Sequence, residues 1–232
     1  MEKTKTILKR TKTFLTALLV LIAIRNRFRT CEISNKPLKR PLLIIAHPDD
    51  ESMFFSPFLY YNNPFILCLS DGDYGNSDGN MRSKEMRSIC AHRKCEYKIL
   101  DYKDNDEWDA HRILEDIVSL CIQLKPCSIV TFDSQGVSGH KNHVSCFLAV
   151  RKLKWMVKDS KTIKFYFLKT TGLFEKYLFG TPAIGSSNYS VPFYSFCGIL
   201  NMLHHRSQMV WFRYLYCLLS SYMSLNSFEI EL

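Results

Sequence analysis

His47, Asp49, Asp50 and Glu51 stand together directly behind the apolar run Leu42-Leu43-Ile44-Ile45-Ala46. One imidazole beside three carboxylates is enough to hold a divalent cation and to move a proton next to it. Pro48 stops the run from pairing further as a strand, so His47 and Asp50 lie three apart across a tight turn. Both can reach one cation, and Asp49 between them can point at a water in an open position. An imidazole and a carboxylate suit zinc, which still requires another ligand. The chain offers one later, at Gly139-His140-Lys141-Asn142-His143. An H-x-x-H pair near a helix start sets both rings on one face.

The elements that must position these residues follow a repeating pattern. The run 42–46 predicts a buried parallel strand, followed by a helix over 52–61 that Pro57 breaks. Further strands are predicted at 65–70, 97–100, 127–132 and 163–168, with helices at 82–94, 111–124 and from the H-x-x-H pair to about 157. Strands alternating with helices predict an α/β fold with a mostly parallel sheet. Both halves of the metal candidate then follow strands, at the carboxyl edge where open α/β sheets build their sites.

Several residues admit two readings. Glu51, in a first helical turn, either complements the dipole or orients a ligand. The loop 71–79 has calcium-like acidic spacing but reaches Arg82 where a bidentate Glu is required, so it reads as a polar, substrate-facing loop. Arg82 is poorly placed for the dipole and is either solvated or holding an anion or sugar. The acidic loop 101–109 is either solvated or a sugar site, with carboxylates for hydroxyls and Trp108 as a stacking face. Asp133 either orients a ligand histidine or caps the loop behind it. Residues 172–197 have no clear pattern. Residues 200–225 read as a long helix or a broken pair, and the apolar stretch 209–219 is either core or laid against a membrane.

Bulk properties narrow the function. A chain of 232 residues suits one domain. Residues 1–40 hold 11 of the 31 Lys/Arg and 2 of the 22 Asp/Glu, so the whole net charge of +9 belongs to that arm. The balanced remainder argues against a nucleic-acid enzyme, which concentrates basic charge around its site. The apolar run 14–24, flanked by basic clusters, covers only about 18 Å as a helix against a hydrocarbon core of about 30 Å. With snorkelling lysines it reads as an uncleaved anchor or interfacial helix within residues 1–29, followed by a linker at 30–40 and a catalytic domain at 41–232. A signal peptide lacks its small-residue cleavage site here, and a mere basic tail is the remaining alternative. Both flanks are positive, so charge does not fix orientation. Nine cysteines, an odd number without a C-x-x-C pair, predict free buried thiols in a reducing compartment.

Ala46-His47-Pro48-Asp49-Asp50-Glu51 together with Gly136-Val137-Ser138-Gly139-His140-x-Asn142-His143 resembles the zinc-dependent GlcNAc deacetylases of the LmbE-like superfamily. Within it the chain is most similar to the N-acetylglucosaminyl-phosphatidylinositol de-N-acetylases. Thr131-Phe132-Asp133, Arg82 with Lys84-Glu85, and His205-Arg206-Ser207-Gln208 with Trp211-Phe212-Arg213 extend the likeness over 42–226. Lys141 stands where many members have Pro. The resemblance implies a single Rossmann-like domain that removes acetate from GlcNAc-phosphatidylinositol, the second step of glycosylphosphatidylinositol anchor synthesis, on the cytoplasmic face of the endoplasmic reticulum membrane. There the Asn188 sequon would be unused. It implies zinc on His47, Asp50 and His143, with Asp49 as general base and His140 as donor to the oxyanion. Arg82 and Asp104 are the candidates for holding the sugar or its phosphate. Iron or cobalt could replace zinc in such a donor set. A deacetylase of a soluble GlcNAc conjugate is the alternative function.

Overall fold

The structure, a computed structural model, describes residues 37–73, 78–104, 106–157, 162–179, 189–192 and 195–231, with Thr11 and Thr13. The predicted anchor apart from Thr11 and Thr13, the first part of the linker, and Asn188 of the sequon lie outside the described residues. No described helix is long and apolar enough to cross a membrane.

Strand β1 (Pro41–Ile45) is buried along its whole length, as a continuous apolar run demands when both faces are covered. It pairs in parallel with β2 (Phe65–Cys68) on one side and β4 (Ser128–Phe132) on the other. Strand β3 (Tyr97–Ile99) extends the sheet beyond β2, and β5 (Lys164–Leu168) beyond β4, both in parallel. The last strand, β7 (Leu225–Glu231), runs antiparallel to β5 and carries β6 (Tyr189–Pro192) at the edge. The order is β3-β2-β1-β4-β5-β7-β6. The direction of winding reverses between β1 and β4, and a crevice opens there at the carboxyl ends.

The helices follow the predicted alternation, with local differences. The segment after β1 forms two short helices, α1 (Asp50–Met53) and α2 (Ser56–Tyr61), and Pro57 sits in the first turn of the second, where its missing N–H costs nothing. Helix α1 starts two residues earlier than predicted, so Asp50 and Glu51 both occupy its first turn. Helix α3 (Gly79–Arg93) begins before Arg82. Helix α4 (Ala110–Leu124) is capped by Asp109, whose carboxylate accepts from the His111 N–H at 2.8 Å, and it buries Ile113, Ile117 and Leu120. The stretch predicted as a loop before the histidines closes into a helical turn, α5 (Gly136–Gly139), and α6 (Lys141–Met156) follows.

Beyond β5 the chain turns through a π-helical segment (Glu175–Phe179), then α7 (Ser195–Met202), a 3-10 turn (Arg206–Gln208) and α8 (Trp211–Leu219). The broken-pair reading of 200–225 is the observed one. Strand β7, like β6, is absent from the sequence reading. Its partners are antiparallel and come from 189–192 and 164–168, so no strand–helix alternation announces it.

Candidate active site

The crevice between β1 and β4 gathers the chemistry. A cleft of about 450 Å3 is lined by His47, Asp49, Asp50, Arg82, Asp104, His140 and His143, with Lys176, Phe212, Arg213 and Tyr216 at its rim. That volume suits a small ligand such as one sugar ring.

The turn after β1 sets the first half. Asp50 folds back, and its Oδ2 accepts from the backbone N–H groups of Ala46 at 3.1 Å and His47 at 2.9 Å. Asp49 is held at φ 117°, a left-handed conformation costly for a side chain with a Cβ, on the order of 1–3 kcal/mol. Its N–H donates to Glu51 Oε2 at 3.1 Å, which compensates part of that cost. The turn after β4 sets the second half. Gly136 has φ +56° and a Cβ there would meet His143 Cβ at 2.9 Å, so only glycine lets the turn close. The Gly136 carbonyl then accepts from His143 Nδ1 at 3.0 Å, and the ring stacks on Phe132 at 4.1 Å. This fixes the tautomer and turns Nε2 toward Asp50 Oδ1, 3.2 Å away.

His47 is oriented in the same manner. Its Nε2 lies 2.7 Å from Asp104 Oδ1, so that nitrogen carries the proton and Nδ1 faces Asp50 Oδ2 at 3.8 Å. Tetrahedral zinc with ligands at 2.0–2.1 Å has donor atoms about 3.3 Å apart. His143 Nε2 lies at that spacing from Asp50 Oδ1, His47 Nδ1 lies somewhat beyond it from Oδ2, and both imidazoles present a lone pair. The donor set therefore fits a zinc-like cation. Donor atoms of His47, His140 and His143 also lie within 4.8 Å of one another. His140 has the tautomer of His47, but its Nδ1 lone pair is taken by the backbone. Its Nδ1 accepts from the Asn142 N–H at 3.3 Å as the cap of α6, which leaves Nε2–H as a donor.

The electrostatics divide the carboxylates. Burial would raise Asp50, but His143 and His47 outweigh it and hold the carboxyl well below the usual range. Burial raises Asp49 above its usual value, and the neighbouring Asp50 charge adds to this against Arg213 and Arg82. Burial lowers His140, with the His143 and His47 charges acting in the same direction, so its ring is neutral near pH 7.

The family described as GlcNAc-PI de-N-acetylase (PIG-L) matches residues 42–154. An N-acetylglucosaminyl-phosphatidylinositol de-N-acetylase of Bos taurus is 35% identical over 81% of this chain and 82% of its own. The chain belongs to the GlcNAc-PI de-N-acetylase family. A probable member from Schizosaccharomyces pombe is 30% identical over 80% of this chain and 84% of its own. Among solved structures, N,N'-diacetylchitobiose deacetylase from Pyrococcus horikoshii aligns with a TM-score of 0.63 over 84% of each chain at 16% identity, which shows a shared fold.

Against the de-N-acetylase motifs, several expectations change. Arg82 is buried in the cleft lining rather than solvated. Its guanidinium donates to Pro48 O at 2.8 Å and Gly72 O at 2.9 Å, and lies 3.7 Å from Asp49 and 3.8 Å from Asp104. It braces the His47 turn from below, and Gly72 is needed because a Cβ there would strike the guanidinium at 2.4 Å. Trp108 is no open stacking face. The ring is buried against His47 and Tyr102, and its Nε1–H donates to Lys103 O at 2.7 Å. Asp133 orients no histidine; it accepts from Thr170 N and Oγ1, both at 2.6 Å, and from Gln135 N, tying the β4 loop to the end of β5. Asp104 orients His47 through one oxygen and keeps Oδ2 buried without a hydrogen-bond partner, 3.8 Å from Arg82 Nη1.

Three residues absent from the predicted site belong to it. Arg213 Nη1 stands 3.3 Å from Asp49 Oδ2, and Tyr216 and Lys176 complete the rim. Arg213 lies in the Trp211-Phe212-Arg213 stretch that carries part of the family likeness, and nothing in its spacing ties it to the His47 turn. Cys68, Cys90, Cys95, Cys121, Cys127, Cys146 and Cys217 are free thiols, in agreement with the sequence reading.

Proposed function

We propose that the chain is an amide hydrolase that removes the N-acetyl group of GlcNAc-phosphatidylinositol, releasing acetate and GlcN-phosphatidylinositol for glycosylphosphatidylinositol anchor synthesis. One observation carries the reading. In a member of this family, His47, Asp50 and His143 converge with the strained Asp49 at the point where the sheet reverses.

His47, Asp50 and His143 would hold zinc. When bound, zinc polarises the acetyl carbonyl and acidifies water toward pKa 7. Asp49, raised by burial, takes the proton of the attacking water and afterwards delivers it to the sugar nitrogen, so the amine leaves uncharged. His140, neutral, donates from Nε2 to the oxygen that gains charge as the carbonyl becomes tetrahedral. Arg82 keeps the Asp49 turn in place, and Asp104 orients His47 and offers Oδ2 to a sugar hydroxyl.

A bilayer is the natural source of such a substrate. Helix α8 buries Tyr216 and Cys217 yet leaves Trp211 75% and Phe212 51% exposed, with Tyr214 and Leu215 beside them. Leu173 and Phe174 are also exposed, ahead of the π-helical segment that packs against α8. Residues 177–228 contain no Asp or Glu. An aromatic surface beside the cleft, poor in acidic residues apart from Glu175, suits a membrane interface. Residues 1–29 would anchor the chain in the endoplasmic reticulum membrane with the catalytic domain in the cytoplasm. Protease protection of intact microsomes tests the orientation: the catalytic domain is digested without detergent, and full protection would overturn it. Acetate release from GlcNAc-phosphatidylinositol by the purified full-length chain tests the activity. Hydrolysis of a soluble GlcNAc conjugate but not of the lipid would overturn it.

A further inference from the structure

The phosphodiester of the proposed substrate requires a partner, and the residues assigned so far do not supply one. Arg82 is committed to two carbonyls beneath the turn. Two other cations line the cleft, both at its rim: Lys176 and Arg213. The Lys176 ammonium lies over three tyrosine rings, at 5.6 Å from Tyr177, 5.4 Å from Tyr216 and 5.6 Å from Tyr222. Two of the phenol oxygens are engaged elsewhere: Tyr216 donates to Met53 O and Tyr222 to Lys169 O. No carboxylate within 4 Å pairs with Lys176 among the described residues. Burial with no offsetting charge holds its ammonium below the usual lysine value. Aromatic faces orient a cation without neutralising it. Arg213 precedes Tyr216 by three residues on α8, so both project from one helix face. Lys176 over Tyr216 therefore brings the two cations to the same side of the cleft, where Arg213 Nη1 stands 3.3 Å from Asp49 Oδ2 and Lys176 has no such pairing.

We propose that Lys176 and Arg213 form an anion subsite that receives the phosphodiester between the inositol and the lipid, and so select a phosphorylated GlcNAc substrate over a phosphate-free one. The inference rests on the functional reading above. The sugar occupies the inner cleft among His140, Asp49 and Asp104. The phosphate, further along the same molecule, meets the rim where the aromatic face begins. Charge-assisted hydrogen bonds to phosphate are strong enough to change selectivity about ten- to hundredfold.

The test uses the purified full-length chain in detergent, with GlcNAc-phosphatidylinositol and phosphate-free GlcNAc-inositol as parallel substrates. Lys176 is the cleaner position, because Arg213 also touches Asp49. In Lys176→Gln, the ratio of kcat/KM for the phospholipid to that for GlcNAc-inositol falls at least tenfold, mainly through KM, and Lys176→Arg restores most of it. Glycerophosphoinositol inhibits the wild type and loses at least tenfold in potency against Lys176→Gln. Inorganic phosphate as a second inhibitor shows whether bare phosphate or the diester headgroup is recognised. An unchanged ratio, or equal losses on both substrates, overturns the subsite, with a thermal melt separating misfolding from lost binding. A wild type that ignores GlcNAc-phosphatidylinositol would instead overturn the functional reading, and the inhibitor comparison would still decide the subsite.

Discussion

His205 Nε2 lies 2.5 Å from Glu51 Oε1, a contact between fully buried side chains 154 residues apart. Glu51 does more than complement the α1 dipole. Its carboxylate also accepts from Ser52 Oγ at 2.7 Å and from the N–H of Asp49. The C-terminal His205-Arg206 motif thus reaches the catalytic turn through one carboxylate. His205 touches no reacting atom; it positions the turn that carries Asp49.

Removing His205 leaves the Glu51 charge buried and unpaired. His205→Ala should lower stability by about 3–5 kcal/mol. Thermal or urea unfolding of the full-length chain in detergent measures it. A loss below about 1 kcal/mol would mean the pair does not hold the turn.

The same pair predicts a pH window for stability. Burial would raise Glu51, but the His205 charge and hydrogen bond hold it below its usual 4.5. Burial would lower His205, but the Glu51 charge outweighs it and lifts the ring above 6.5. The Glu51 contribution is present above pH 4.5 and lost as pH falls through the lower folded value. The His205 contribution is present below pH 6.5 and lost as pH rises through the higher folded value. The pair therefore stabilises most between these limits. Melting temperature against pH should lose this component in Glu51→Gln, and an identical profile would contradict the assignment.

Ligand and donor are separable at His140. Asp50→Asn and His143→Ala should lose zinc, whereas His140→Ala should keep it and lose about 10²–10³ in kcat. Elemental analysis of the purified variants with turnover on the glycolipid gives both readings. Loss of metal from His140→Ala would make it a ligand.

Asp104 orients His47, so Asp104→Asn should weaken zinc binding about 10–100-fold without abolishing it. Competition with a chelator of known affinity measures this. Zinc affinity should also fall in acid, because Asp50 favours the protonated form of His143 that the metal must displace.

What the sequence made legible was local. Continuous apolar runs identified β1, β2, β4 and β5, and the two His-containing motifs lay one strand apart, at the ends of β1 and β4. The residues that remained illegible act across long separations. Glu51 and His205, Asp133 and Thr170, and Asp49 and Arg213 are each joined only by the folded chain. Trp108 reads as a sugar platform by type, and only packing shows that its ring is spent on His47 and Tyr102. Asp49 at φ 117° is likewise invisible in sequence, because aspartate does not demand a left-handed backbone.

Asp49 carries the central claim, and Asp49→Asn tests it most directly. Asparagine tolerates the left-handed backbone, so the turn and the zinc should remain. Acetate release from GlcNAc-phosphatidylinositol would be compared for wild type and variant, each with chelator and with zinc restored. The account predicts wild-type activity abolished by chelator and recovered with zinc, and a loss of about 10²–10⁴ in Asp49→Asn at unchanged zinc content. Full activity in a zinc-loaded Asp49→Asn would contradict it.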